Sequence, residues 1–208
     1  MIVVHHLENS RSQRILWLLE ELGLKYEVKR YARDPQTRLA PPELKAVHPL
    51  GKSPVITDGK LTVAESGAII DYLIRRYGRH RLMPSEHGQD FVSYLQWMHF
   101  AEGSGVLPLM LALYVGRLGD AGAPLQPRIQ SEIANHLNFI EESLFGRDFL
   151  VGKSLTGADI QMLFVLDAAD ARERLKELPN CKRYLASMKA RAAYKRALER
   201  SGPYDLKF

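Results

Sequence analysis

Apolar positions follow two regimes along this chain, and the regime changes near residue 80. Over residues 1–77, short β-like runs alternate with helical stripes. IVVHHL (2–7) is a predicted strand. RSQRILWLLEELG (11–23) then places Ile15, Leu16, Leu18, Leu19 and Leu22 on one helical face and stops at Gly23. YEVKRY (26–31) alternates with period two, which predicts a second strand. PPELKAV (41–47) predicts one or two helical turns opened by proline. PVIT (54–57) and LTVA (61–64) flank Asp58-Gly59, a hairpin signal, and ESGAIIDYLIRRYG (65–78) predicts an amphipathic helix. The order β-α-β-α-β-β-α describes a small α/β domain.

From residue 88 the strand signals vanish. Helical patterns run through 88–118, 126–146, 157–170 and 179–199, interrupted by the Gly/Pro-rich GDAGAPLQP (119–127). RHRLMPSEHG separates the regimes, which predicts an α/β domain at 1–78, a linker at 79–87 and an all-helical domain at 88–208. Within the second domain, SLTGADIQ (154–161) carries a capping box, Thr156 with Asp159, inside a hydrophobic staple of Leu155 and Ile160. That pairing is a folding device rather than a chemical one.

Composition narrows the class. The 208 residues are 46% hydrophobic and 25% charged, the balance of an ordinary globular protein. No stretch approaches the roughly 18 consecutive apolar residues of a membrane span, and no secretory leader precedes the first strand. The single cysteine, Cys181, excludes an intrachain disulfide and a cysteine-based metal cluster, and fits a cytoplasmic protein. The net charge of +5 is uneven, with 11 Lys/Arg against 4 Asp/Glu in residues 172–208. Those charges follow helical spacing with apolar residues between them, so they read as solvated helix faces and not as a nucleic-acid surface.

The segment HPLGKSPVITDG…VAESGAII (48–70) carries the candidate chemistry. Gly51-Lys52-Ser53 fails as a phosphate-binding P-loop, because Ala46 stands where that motif needs its first glycine. Ser53-Pro54 enters a strand, and a cis bond there would turn the Ser53 main chain outward toward an extended peptide. Lys52 suits a carboxylate. Glu65-Ser66 opens a helix, whose free N–H groups attract an anion, while Glu65 accepts from an ammonium group. The set suits a small zwitterionic peptide with carboxylates at both ends. Upstream, Ser10 and Ser12 in ENSRSQRILW stand at the start of the first helix. Ser10 with Gln13 spells a capping box, and a capping hydroxyl keeps its own proton to donate.

HPLGKSPV followed by AESGAIIDYL resembles the glutathione-binding half of the cytosolic glutathione transferases. SRSQRILWLLEELGLKYEVKRYARDP…LAPPELKAVHPLGKSP is especially similar to a theta-like, fungal-type and proteobacterial branch. WMHFAEG (97–103) and the SLTGADI box extend the resemblance over essentially the whole chain. It implies a thioredoxin-like N-terminal domain, an all-α C-terminal domain, and a cytoplasmic homodimer that binds neither nucleic acid nor membrane. It implies glutathione as cosubstrate, with no resident cofactor or metal. The partner substrate would be a hydrophobic electrophile or a peroxide, with hydroperoxide reduction as a side activity.

By position, the resemblance assigns the Ser53 main chain before cis-Pro54 to the cysteinyl part of glutathione. Lys52 and His48 fall to the glycyl carboxylate, Glu65 and Ser66 to the γ-glutamyl end. The thiolate is stabilised by Ser10 or Ser12. The SR-x-x-R pattern favours Ser10, whereas theta-like spacing counted back from Leu24 favours Ser12. Trp97, Met98, Phe100, Met110, Leu113 and Tyr114 form an aromatic and Met-rich stripe that ordinarily means core. In this family that region borders the electrophile pocket, so Phe100, Met110 and Tyr114 are pocket candidates and Glu102 a neighbour of the γ-glutamyl ammonium. His5-His6 lacks partners at metal spacing, and Arg11 and Arg14 either aid the anionic ligand or serve as solvated or interdomain residues. A noncatalytic interaction module on the same fold is the alternative, against which the intact Lys52, Glu65 and Ser66 argue.

Overall fold

The computed structural model describes residues 1–79 and 81–206; His80 of the expected linker and Lys207 and Phe208 at the end of the expected helical domain lie outside them. The chain divides into two compact units, Met1–Met83 with Met188–Phe208, and Pro84–Ser187. The return of the last helix to the first unit is a placement that chain order alone did not suggest.

The first unit is built on a four-stranded mixed sheet, ordered β2-β1-β3-β4, from β1 (Ile2–Leu7), β2 (Tyr26–Tyr31), β3 (Val55–Asp58) and β4 (Leu61–Ala64). β1 pairs parallel to β2 and antiparallel to β3. The helices are α1 (Ser12–Leu22), α2 (Pro42–Val47) and α3 (Ser66–Tyr77). This is the thioredoxin-like arrangement. α1 is buried along its entire inner face, with Ile15, Leu16, Trp17, Leu18 and Leu19 all at 0% exposure. It ends at Gly23, whose φ of +67 places it in the left-handed region that glycine enters without a Cβ clash. Gly23 N–H bonds Glu20 O and Leu24 N–H bonds Leu19 O, the paired closure of a Schellman end.

The hairpin turn sits one residue later than its sequence signal. Asp58 pairs with Leu61 as the last residue of β3, so Gly59 and Lys60 form the turn. Glycine at the first central position, φ +61, is what a two-residue turn of the II′ class asks for. Asp58 stays in the strand because its carboxylate accepts from the hydroxyls of Tyr72 and Tyr77 on α3.

Two long helical patterns are each broken in two. The pattern at 88–118 becomes α4 (Gln89–Phe100), a π-helical turn (Ala101–Gly105) and α5 (Leu107–Gly116). Gly103 and Gly105 weaken the helix there, and a Cβ at Gly105 would stand 2.9 Å from Phe100 Cε1. The run Gln89–Gly116 is long and apolar enough, by length and composition, to cross a membrane. Yet Tyr94, Trp97, Met98, Ala101, Leu109 and Val115 are buried within the helical unit, as in a core helix. The pattern at 179–199 becomes α8 (Pro179–Ala190) and α9 (Ala192–Ser201), separated by an extended Arg191. α9 packs against α1. Arg191 pairs with Glu21 at 2.6 and 3.1 Å, Arg196 with Glu20 at 2.8 Å, and Tyr194 meets Trp17 edge-on. Those contacts override a continuous helical propensity.

The helical unit also contains α6 (Gln126–Ser143) and α7 (Gly157–Asp170). The Thr156–Asp159 capping box is formed, with Leu155 and Ile160 buried beside it.

Candidate active site

The first candidate element is the turn between β1 and α1. Asn9 adopts a left-handed φ of +50 and is held from two sides. Arg33 donates to Glu8 O at 2.9 Å and to Asn9 O at 3.3 Å, while Asp205 N–H of the C-terminal tail donates to Asn9 Oδ1 at 2.7 Å. α1 begins at Ser12, with Arg11 and not Ser10 at the N-cap. The predicted Ser10–Gln13 capping box is therefore absent. Ser10 Oγ instead accepts from Ser12 N–H at 3.2 Å, a tighter local turn. Gln13, 1% exposed, has no hydrogen bond on either side-chain atom among the described residues.

Four polar side chains then converge. Ser10 Oγ lies 2.7 Å from Ser12 Oγ and 3.4 Å from Ser53 Oγ, and Ser12 Oγ lies 2.8 Å from His6 Nδ1. His6 is 1% exposed, Ser12 0% and Ser10 5%. β1 alternation turns its neighbour His5 to the opposite face, where Nδ1 meets Tyr31 Oη at 2.9 Å. Burial pushes the His6 imidazole down to about 4, with the Arg30 guanidinium on β2 adding to the effect. His6 is thus neutral at pH 7.

That depression has a sign. As pH falls below 6.5 the unfolded chain takes a proton on His6 that the folded chain refuses until about 4. Stability from this group is therefore complete above 6.5 and is lost as pH falls from 6.5 to 4, by on the order of 3 kcal/mol. Urea midpoints measured at pH 7, 5 and 4 should show this decline, and His6→Asn should flatten it. An equally steep decline in the variant would contradict the assignment.

The second element is the entry to β3. Ser53-Pro54 is cis. Pro54 brings no N–H to the β1·β3 ladder, and the Ser53 side chain takes up the strand end. Its Oγ donates to His5 O at 2.9 Å and accepts from Leu7 N–H at 3.3 Å. Lys52 is exposed beside it. His48 caps α2 and turns the chain, its O accepting Gly51 N–H at 2.8 Å; its Nδ1 is buried without a hydrogen-bond partner among the described residues. Gly51 needs its φ of +57, and a Cβ there would strike Lys45 Cγ at 2.7 Å.

The third element is the start of α3. Glu65 occupies the N-cap with φ +69 and ψ 123, a backbone state that a non-glycine residue adopts at about 1–3 kcal/mol. Its side chain is exposed, whereas Ser66 is 4% exposed and accepts from Arg14 Nη2 at 2.7 Å. Arg14 is 1% exposed, which sets aside the solvated alternative for it. It joins α1 to the N-terminus of α3 and brings a buried positive charge to that anion-attracting end.

The structure thus brings Ser10, Ser12 and Ser53 together and links Glu65-Ser66 to the same helix through Arg14. In the helical unit Phe100 packs in an aromatic cluster, with ring centroids 5.3 Å from Trp97, 5.5 Å from Phe139 and 5.9 Å from His136. Met110 is half-buried and Tyr114 is 57% exposed on α5, its ring 6.0 Å from the Arg117 guanidinium. Cys181 is wholly buried, with burial and neighbouring Glu141 raising its thiol far above the usual range, so it is chemically inert. Among the described residues no group of His, Cys, Asp or Glu could hold a metal ion.

Sequence reasoning missed His6 and the Asn9–Arg33 clamp, and left Arg14 between a ligand role and a solvated or interdomain one. The signals were present but weak: a histidine on a strand aimed at a helix start, and an arginine inside an otherwise apolar helix face.

Family models match both halves, the glutathione S-transferase N-terminal domain over residues 1–75 and the C-terminal domain over 89–192. The chain is 36% identical to glutathione S-transferase 3 of Schizosaccharomyces pombe, over 96% of this chain and 88% of that protein. The crystal structure of a glutathione S-transferase from Actinobacillus pleuropneumoniae superposes with a TM-score of 0.90 at 38% identity, covering 99% and 95% of the two chains. A family member from Pseudomonas fluorescens, solved with two glutathione bound, matches with a TM-score of 0.82 at 28% identity over 95% and 92%. With both domains and nearly the full length accounted for, the chain belongs to the glutathione S-transferase family.

Proposed function

We propose that this protein is a glutathione transferase in which Ser10 donates a hydrogen bond to the glutathione thiolate. The carrying observation is the Ser10 hydroxyl, 3.4 Å from Ser53 Oγ, at the N-terminal end of α1 and beside cis-Pro54. A free thiol has a pKa near 8.5, so little thiolate exists at pH 7. A hydroxyl donor and the positive end of α1 both favour the anion. The thiolate attacks an electrophilic carbon and expels the leaving group, or attacks a hydroperoxide oxygen, breaking the O–O bond and releasing the alcohol once the alkoxide takes a proton from solvent. In the latter case the resulting sulfenic acid is resolved by a second glutathione, giving glutathione disulfide and water.

The remaining groups hold the peptide. The outward Ser53 main chain pairs with the cysteinyl residue, Lys52 and His48 take the glycyl carboxylate, and Ser66 with Glu65 takes the γ-glutamyl end. Arg14, donating to Ser66, steadies that end. Phe100, Met110 and Tyr114 belong to the face offered to the electrophile. A homodimer follows from the family, and side chains such as Val92 and Leu107, 69% and 51% exposed, suit a covered surface. The expected solution mass is twice the 23.6 kDa of the chain.

Retention on immobilised glutathione, together with turnover of a generic aryl halide, tests the reading. Neither retention nor turnover would leave the noncatalytic module as the better account. Glu65→Gly supplies a residue-level check. It should relieve the left-handed strain, with a gain of up to about 1 kcal/mol in stability, while raising KM for glutathione several-fold. A less stable variant with unchanged KM would remove Glu65 from the site.

A further inference from the structure

His6 contributes to no glutathione contact proposed above, yet it is the innermost member of the hydroxyl cluster. A serine hydroxyl has one proton to give and two lone pairs to fill. Ser12 Oγ is 2.8 Å from His6 Nδ1 and 2.7 Å from Ser10 Oγ, with Leu7 O more distant at 3.5 Å. Ser10 Oγ meets Ser12 N–H at 3.2 Å, Ser12 Oγ at 2.7 Å and Ser53 Oγ at 3.4 Å. Three proton arrangements satisfy both short contacts. With Nδ1 bare, Ser12 gives its proton to the ring and Ser10 must give its own to Ser12. Nothing is then left for a ligand. With the proton on Nδ1, the ring donates to Ser12, whose own proton goes either to Leu7 O at 3.5 Å or to Ser10 at 2.7 Å. The shorter contact is the stronger bond, and it leaves Ser10 with both lone pairs filled and its one proton directed outward.

We propose that His6 is a positioning residue whose Nδ1–H sets the direction of the Ser12–Ser10 hydroxyl pair, so that the chain of donors ends on the glutathione sulfur. This rests on the reading of Ser10 given above. Among the described residues, Nδ1 is the ring nitrogen with a hydrogen-bond partner. Protonation on Nδ1 makes the ring the donor in that bond, which releases the Ser12 proton toward Ser10. Ser53 Oγ is a weak resting acceptor for Ser10. It stands at 3.4 Å, already accepts Leu7 N–H and donates to His5 O, so an incoming thiolate displaces it as the stronger acceptor.

The ring must also stay neutral for one tautomer to be defined. The register places the Arg30 residue opposite His6 on β2, Pro54 enters from the β3 side, and α1 presents Ser12. Burial with the Arg30 charge holds the imidazole uncharged at pH 7. No proton crosses the chain: the thiol proton leaves to solvent, and the hydroxyls only donate to the resulting anion.

The tautomer is read directly from imidazole 15N shifts of the 15N-histidine-labelled wild-type protein at pH 7. His6 should show a protonated Nδ1 and a bare Nε2; the reverse pattern overturns the proposal whatever the activity. His6→Phe removes the donor, and His6→Asn returns an amide N–H near the Nδ1 position. His6→Phe should raise the pKa of bound glutathione by about one unit and lower kcat about tenfold, with KM for glutathione within about twofold. His6→Asn should recover most of both. An unchanged thiol pKa in folded His6→Phe, or no recovery in folded His6→Asn, overturns the role. Should His6→Phe not fold, the wild-type tautomer and His6→Asn decide. A wild-type protein that fails to bind glutathione sinks the transferase reading instead, while the tautomer is still measured.

Discussion

Ser10→Ala is expected to lower kcat for conjugation about 10- to 100-fold and to raise the pKa of bound glutathione by one to two units. Ser12→Ala should have a smaller effect on both. The ranking follows from what each hydroxyl already does. Ser12 is wholly buried at the first position of α1, with neighbours on two sides at 2.7 and 2.8 Å. Its proton is committed inside the protein. Ser10 lies nearer the surface, and its outward contact, Ser53 Oγ, is long at 3.4 Å and exchangeable. Losing a donor aimed at developing or resting negative charge in a partly dry site removes about 1.5–3 kcal/mol, which corresponds to the stated range. Alanine at position 12 breaks the line from His6 but leaves the Ser10 proton in place. A titration of bound-thiolate absorbance alongside steady-state kinetics measures both quantities. A larger effect at Ser12 would transfer the thiolate to that residue.

Asp159→Ala is expected to destabilise the helical unit by about 3–5 kcal/mol, enough to abolish folding in a marginal background. The carboxylate is 0% exposed. It accepts Leu150 N–H at 2.9 Å and Tyr184 O–H at 2.8 Å on Oδ1, and Thr156 N–H at 2.7 Å and Thr156 O–H at 3.0 Å on Oδ2. Burial raises its pKa, and these four donors oppose the rise. Alanine would leave several of the donors buried and unpaired, and each such orphan costs about 1–3 kcal/mol. Asp159→Asn separates cap from network: an amide oxygen at Oδ1 keeps the Leu150 and Tyr184 bonds, while the amide N–H₂ faces the Thr156 donors. Urea unfolding should therefore rank wild type above Asp159→Asn above Asp159→Ala. A loss below about 1 kcal/mol for alanine would show that the box is dispensable once the helices are packed.

Local chemistry made much of this legible beforehand. Period-two and period-3.6 patterns located β1 to β4 and α1 to α3, because those faces are buried against one another and alternation survives in the residues. The stop at Gly23 and the Thr156–Asp159 box were readable because each depends on only three or four consecutive residues. Boundaries failed where distant contacts intervened. The break at Arg191 comes from Glu21 on α1, some 170 positions away, and the displaced hairpin turn from tyrosines on α3 that hold Asp58 in its strand.

The candidate site divides along the same line. Ser10, Ser12, Ser53, Glu65 and Ser66 could be named from their short motifs, since a hydroxyl at a helix start or a polar residue before proline has few roles. Their alliances could not. The supposed Ser10–Gln13 box gave way to a bond between neighbouring serine and main chain, and the partner of Arg14 is Ser66, 52 positions away. By itself, then, the chain determined its elements, its two regimes and the residue types present at each helix start, because these depend on near neighbours. Only the tertiary structure decided that β1 would aim His6 at Ser12 and that Ser53 would stand within reach of Ser10. A hydrogen bond is directional over about 3 Å, and no spacing along the sequence encodes that direction.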